Sequence, residues 1–253
     1  STMTKLKKIA SLMALGACFV TTQGYAAGGG GSHMKPAGID PDNVASLQRG
    51  ARNFMNYCSG CHSAQYVRYN TIGKTLNLSE EQLMDNLMFN ADKTFETIQT
   101  AMPAADGARW YGKTPPDLSL MARARGADYV YNFLKGFYVS EASPTGVDNL
   151  VLAGTSMPHV LWELQGYQAV NFDKHENEDG SVTTTFEGFE QLSAGSMDAE
   201  EYDDFVRDTV NFLAYIAEPI RSERRKLGVW VIMFLIFFFI LSTQLKKQIW
   251  KDV

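Results

Sequence analysis

Apolar residues recur with helical spacing along four stretches of the chain, and the segments between them break that rhythm. Val44, Leu47, Ala51, Phe54, Met55 and Cys58 fall on one face of a helix. Asp40-Pro41 marks its expected start, a capping side chain followed by proline in the first turn. Ser79-Glu80-Glu81-Gln82 is a capping-box sequence and predicts a second helix to about Phe89. Ser119 to about Tyr138 is helical in pattern, with a break expected at Gly126 and with Val130, Phe133, Leu134 and Phe137 on one face. Asp198 to Ala217 predicts a long helix, capped by the Asp198 and Glu201 pair, whose apolar face is Phe205, Val206, Val210, Leu213 and Ile216. Glu218-Pro219 ends it. Between these helices, Trp110 to Asp117 reads as loop because Gly112, Pro115 and Pro116 punctuate it, and so does Gly154 to Val160. Tyr167 to Phe189 changes period: Val182-Thr183-Thr184-Thr185-Phe186 favours strand and Asp179-Gly180 is a hairpin turn signal. The pattern predicts a mainly α fold with a small β-hairpin.

Two apolar runs fall outside this scheme. Ile9 to Val20 follows Lys5, Lys7 and Lys8 and precedes the small residues Gly24, Ala26 and Ala27, the layout of a secretory signal peptide cleaved after Ala26. Its 12 residues are too few to cross a hydrocarbon core of roughly 30 Å. Leu227 to Leu245 is 19 residues without a charge, about 28 Å as a helix. Arg221, Arg224, Arg225 and Lys226 flank one end, and Lys246, Lys247 and Lys251 the other. The expected organisation is a signal peptide at 1–26, a linker or cloning scar at 27–39 containing GGGGSHM, and an exported domain at 40–220. A single transmembrane helix at 221–246 and a cytoplasmic tail at 247–253 complete it. Export followed by a stop-transfer helix places the domain in the periplasm and the anchor in the inner membrane of a bacterium.

Composition is that of a folded protein, 45% apolar and 20% charged. Charge is uneven. Between Ala27 and Ile220 there are 26 acidic against 13 basic residues, and 12 of the acids lie between Asp173 and Asp208. Such a surface repels nucleic acid and suits a basic partner, with Glu200, Glu201, Asp203 and Asp204 the cluster expected to steer it.

Of three cysteines, Cys18 leaves with the signal peptide, and Cys58 and Cys61 stand in one motif, Cys58-Ser59-Gly60-Cys61-His62. C-x-x-C-H is a c-type haem attachment signature. Two thiols on one turn can add to the two vinyl groups of one haem, and His62 then sits under the iron as proximal ligand. A thioredoxin-like pair does not require His62, and it places a strand, not a helix, before the motif. A zinc site needs about four ligands, and the chain offers only His33, His159 and His175 besides the motif. For the sixth ligand, Met102-Pro103 and Met157-Pro158 are both methionines in proline-stiffened loops, and His159 is a third candidate; spacing does not choose among them.

Several segments together resemble cytochrome c1, the haem subunit of the cytochrome bc1 complex. They are CSGCH, Pro115-Pro116-Asp117-Leu118-Ser119, Met121-Ala122-Arg123-Ala124-Arg125, Asp128-Tyr129-Val130-Tyr131, the Met157-Pro158 loop, and Ala217-Glu218-Pro219 before a single anchor. The resemblance runs from about Asp40 to the C-terminus and implies a class I cytochrome c-like haem domain with one covalent haem c. In the family the axial methionine follows the PPDLS segment, which implies Met157, and Arg123 and Tyr129 match propionate contacts while Pro116 packs at the haem. The implied role is one-electron transfer from a Rieske iron–sulfur protein to a cytochrome c, beside cytochrome b, in membrane lipid and within a dimeric complex. The chain alone would be an electron carrier and the assembly a quinol–cytochrome c oxidoreductase. The region 166–195 is longer than in mitochondrial relatives. Rival readings are another anchored monohaem cytochrome, or a haem-based sensor with an exchangeable sixth site.

Overall fold

In the computed structural model the described backbone covers residues 34–176 and 182–251, with the side chains of those spans other than 174–184. The expected signal peptide, most of the linker, the Asp179-Gly180 turn and the last two residues lie outside it.

Two helices cross at the centre, α1 (Val44–Tyr57) and α8 (Ala199–Ala217). Their apolar stripes meet: Leu47, Ala51, Phe54, Val206, Val210 and Phe212 are all fully buried, and the Phe54 and Phe212 rings lie 5.7 Å apart. Gly50 allows the close approach, because a Cβ there would stand 2.0 Å from the Asp208 carbonyl oxygen and 2.7 Å from Phe212 Cβ. A polar lock runs along the same seam. The Asp208 carboxylate accepts from Arg49 and from Ser46 Oγ, while Asn211 Nδ2 donates to Ser46 Oγ at 2.8 Å and to the Asp40 carbonyl at 2.7 Å. These bonds satisfy polar groups that burial would otherwise penalise.

Helix α1 begins later than Asp40-Pro41 suggests. Asp40 and Asn43 close a turn, and the Asn43 side chain caps the helix by accepting from Ser46 N–H at 3.2 Å. The other two caps fall where the sequence puts them: Ser79 opens α3 (Glu80–Leu87) and Asp198 opens α8, each with both bonds of a capping box. Between α1 and α3 lie β1 (Ala64–Arg68) and α2 (Tyr69–Thr75). After α3, β2 (Thr97–Ile98) pairs with β1, and α4 (Ala104–Tyr111) follows. Helix α4 takes in Trp110 and Tyr111, which the punctuation of that stretch had suggested were loop; the chain turns instead at Gly112, at positive φ.

The stretch from Ser119 breaks at Gly126 as its sequence indicates, into α5 (Met121–Arg125) and α6 (Ala127–Lys135). It stops at Gly136, so Phe137 belongs to β3 (Phe137–Val139), paired with β4 (Val147–Asn149). Helix α6 packs on α8, where Tyr202 Oη donates to the Leu134 carbonyl at 3.0 Å. Here Asp203 accepts from Tyr131, Lys135 and Arg207, and Arg207 also reaches Asp204. Glu201 is taken by the capping box. Asp203 and Asp204 are therefore engaged in internal ion pairs, whereas the exposed Glu200 and Glu201 make no ion pair among the described residues.

Short α7 (Trp162–Gln165) leads into the hairpin of β5 (Gln168–Glu176) and β6 (Val182–Gln191). Its base is tied down: Gln168 Nε2 donates to the Lys135 and Phe137 carbonyls, and Gly166 and Gly195 sit against backbone too closely for any side chain. The final helix α9 (Arg221–Ile249) has a mean hydropathy of 2.2 over its apolar window and buries none of it against the rest of the chain. At 1.5 Å per residue it is roughly 43 Å long, a span plus its basic flanks. Ser222 Oγ donates to Asp42 Oδ2 at 3.1 Å and Arg224 pairs with Glu218, tying the head of α9 to the domain.

Candidate haem site

Helix α1 delivers the CSGCH motif. Cys58 closes the helix by donating to the Phe54 carbonyl, and Cys61 and His62 N–H both donate to the Cys58 carbonyl, at 3.1 and 2.9 Å. The motif is thus one more turn on the helix, which sets both thiols on a single loop of backbone. Burial pushes the Cys58 thiol up to about 12, with Cys61 adding to the effect, and burial raises Cys61 as well. A thioredoxin-type nucleophile needs the opposite shift. Protonated, partly shielded thiols suit addition across a vinyl group. Among the described residues no group of three or more His, Cys, Asp or Glu converges into a metal cluster.

The Pro115-Pro116-Asp117-Leu118-Ser119 strap aims His62. His62 Nδ1 stands 2.7 Å from the Pro116 carbonyl. A carbonyl only accepts, so Nδ1 carries the hydrogen and Nε2 presents its lone pair, the state that binds iron. Burial lowers the His62 pKa, with Pro116 and Asp117 offsetting part of it, so the ring is neutral. Asp117 holds the strap in place, accepting from Gln65 N–H and Ser119 N–H at 2.9 Å each, and Ser119 Oγ accepts from Tyr66 N–H at 3.1 Å. Leu118 N–H donates to the Ser63 carbonyl at 2.8 Å.

The two candidate methionines occupy different settings. Met102 lies beside the attachment turn, since Thr100 donates to the Gly60 carbonyl at 2.8 Å and accepts from Met102 N–H. Its sulfur is packed by Gly107, where a Cβ would meet Met102 Sδ at 3.3 Å and Pro115 Cδ at 2.8 Å. Met102 is therefore engaged between the attachment turn and the Pro115 end of the strap. Met157 is half-buried against the core, on a loop held upstream by Asn149 and Asp148. Asn149 is fully buried; its Nδ2 donates to the Phe133 carbonyl, and its Oδ1 accepts from Val151 and Leu152 N–H. Asp148 accepts from Gly154 N–H at 2.7 Å. Downstream, His159 is buried, its pKa lowered to about 4 chiefly by burial.

Tyr129 stacks on Phe133 at 6.3 Å, and it is Arg125, not Arg123, whose guanidinium lies over its ring, at 5.4 Å. Arg123 is exposed. Arg125 ends α5 and Tyr129 lies on α6, beyond the break at Gly126, so no spacing along a single helix signalled the pair. A histidine turned by a backbone carbonyl, two thiols on its own turn and a thioether on a separate loop make a donor set that fits haem c. Residues 40–253 match the Cytochrome C1 family. The chain belongs to the cytochrome c1 family. It is 45% identical to cytochrome c1 of Allochromatium vinosum over 227 residues, covering 90% of this chain and 92% of that one. It is 28% identical to the mitochondrial cytochrome c1 haem protein of Saccharomyces cerevisiae, over 88% of this chain and 71% of the relative. A protein of Nitrosomonas europaea named ammonia monooxygenase gamma subunit is 38% identical, over 87% and 88%. Cytochrome c1 proteins carry covalent haem c and are membrane-anchored subunits of the bc1 complex, an oxidoreductase containing cytochrome b and a Rieske protein. The Cys58 and Cys61 pair and the apolar helix α9 fit that description.

Proposed function

We propose that this cytochrome c1 chain takes one electron from the Rieske iron–sulfur protein and hands it to a soluble basic cytochrome c on the periplasmic side of a bacterial inner membrane. The observation that carries the reading is the 2.7 Å contact of His62 Nδ1 with the Pro116 carbonyl, which prepares Nε2 as an iron ligand directly after two thiols. Haem c supplies the one-electron Fe(III)/Fe(II) couple. Cys58 and Cys61 would hold it by thioethers, and His62 Nε2 and Met157 Sδ would be the groups that ligate its iron. Pro116 fixes the His62 ring; Met157, a soft thioether, favours the reduced state and so a relatively high potential. Tyr129 and Arg125 would hold the propionates; the family resemblance points to Arg123 for this role, and the Arg125 contact with the Tyr129 ring favours Arg125. Residues 221–246 cross the bilayer beside cytochrome b in a dimeric complex, with 247–253 in the cytoplasm. The exported domain follows a signal peptide at 1–26 and a linker at 27–39.

Mixing the ascorbate-reduced protein with a ferric basic cytochrome c in a stopped-flow instrument tests this. Second-order oxidation that slows as salt rises supports the assignment. No electron transfer on the seconds scale overturns it.

A further inference from the structure

We infer that His159 is the positioning residue of the Met157 loop, its ring serving as a flat plate clamped between Phe137 and Tyr167. The inference rests on the reading that Met157 ligates iron.

The ring is 6% exposed and stacks on Phe137 with centroids 5.0 Å apart and planes 9° from parallel. Phe137 is itself 1% exposed, at the start of β3. Tyr167 meets the His159 ring edge-on at 6.5 Å and stacks on Trp162 at 5.6 Å. The contacts continue the other way, from Phe137 to Phe133 at 5.2 Å and from Phe133 to Tyr129. His159 thus sits midway in a continuous run of rings from α6 to the base of the hairpin.

Among the described residues neither His159 nitrogen makes a hydrogen bond of good geometry, although the Gly166 backbone and the Gln165 side chain stand close enough to offset part of the effect of burial. A buried imidazole without hydrogen bonds contributes through its faces, and its polar atoms are a cost. What the faces do follows from the chain. Pro158 alone separates His159 from Met157, and its ring holds φ near one value, so the placement of His159 is transmitted to Met157 with little slack. Upstream, backbone N–H groups of Val151, Gly154 and Met157 donate to Asn149, Asp148 and Thr155 and hold the loop. Downstream, the His159 plate and the turn into α7 do so. The thioether is held from both sides.

The test uses the full-length holoprotein as wild type, H159L, H159F and M157A. Ferric protein is titrated with imidazole, which competes with the methionine sulfur for iron and so reads how often the loop swings away. The far-red methionine–iron band and the thermal midpoint are recorded alongside. H159L keeps the volume but loses the flat stack, and should bind imidazole about tenfold more tightly with a weakened band. H159F restores the stack and should match wild type within about twofold. H159L with wild-type imidazole affinity, whatever its thermal midpoint, would make His159 an ordinary core residue and overturn the inference. H159F as impaired as H159L would overturn it too, by showing that a nitrogen acts. M157A separates the two claims: it should lose the band and bind imidazole most tightly. An M157A protein with the wild-type band would refute Met157 ligation itself.

Discussion

Replacing Gly50 by alanine tests the crossing that carries the haem turn. The added Cβ would stand 2.0 Å from the Asp208 carbonyl oxygen, against an ordinary contact distance of 3.4 Å or more, so the helices must separate or slide by roughly 1.4 Å. The obstacle is backbone, and α8 is fixed by the Asp208 and Asn211 bonds, so no flexible side chain can give way. A gap of that size forfeits a quarter to a half or more of the dispersion contacts across the seam. Overpacking of this kind costs about 3 kcal/mol, and the better helix propensity of alanine returns about 1. The net loss is about 2 kcal/mol, a fall of roughly 4–8 °C in the thermal midpoint for a domain of this size. Because Cys58 closes the same helix, the yield of haem-loaded protein should fall as well. Differential scanning calorimetry of the holoprotein, with haem content measured per chain, reads both effects. A G50A protein as stable as wild type, or stabilised by the 1 kcal/mol of propensity, would refute the close-approach argument.

Other expectations concern charge. Burial would raise the Asp203 pKa, but Lys135, Tyr131 and Arg207 outweigh it and hold the carboxylate below its usual 3.8. That stability is present above the unfolded value and is lost as pH falls through the folded one. D203N should therefore cost about 1–2 kcal/mol at pH 7 and progressively less below pH 3.8 in urea melts, and a difference that does not vary with pH would contradict it. Glu187 and Glu190, exposed on β6, are better probes of steering than the paired acids of α8: E187K/E190K should slow oxidation by a basic cytochrome c several-fold at low salt and not at high salt. Equal rates at low salt would count against the hairpin as a steering surface. R125Q should lower the midpoint potential by about 30 mV or more, a factor of about three in the one-electron equilibrium, and R123Q by much less; the reverse order in a potentiometric titration would restore Arg123 to the propionate.

Features encoded by neighbours in sequence were legible. The capping boxes at Ser79 and Asp198, the haem motif, the apolar anchor and the hairpin each depend on residues a few positions apart, and each lies where its pattern indicates among the described residues. What depends on distant chain was not. Asn43 caps α1 because Asp40 turns back to receive Asn211, 171 residues away. Strands β1 to β4 are two to five residues long, too short for a period to show. The acids of α8 read as a charged surface until α6 brings Lys135 against them. The role of the PPDLS strap as the orienter of His62 needs a contact across 54 positions, and the burial of His159 needs Phe137 and Tyr167 folded around it.

The central claim is a covalent haem held by His62 and Met157, and the visible spectrum of the purified protein, oxidised and then reduced with ascorbate, tests it most directly. The account predicts a c-type spectrum, full reduction by ascorbate and a far-red methionine–iron band in the oxidised form. A c-type haem that lacks that band, resists ascorbate and binds carbon monoxide would contradict it.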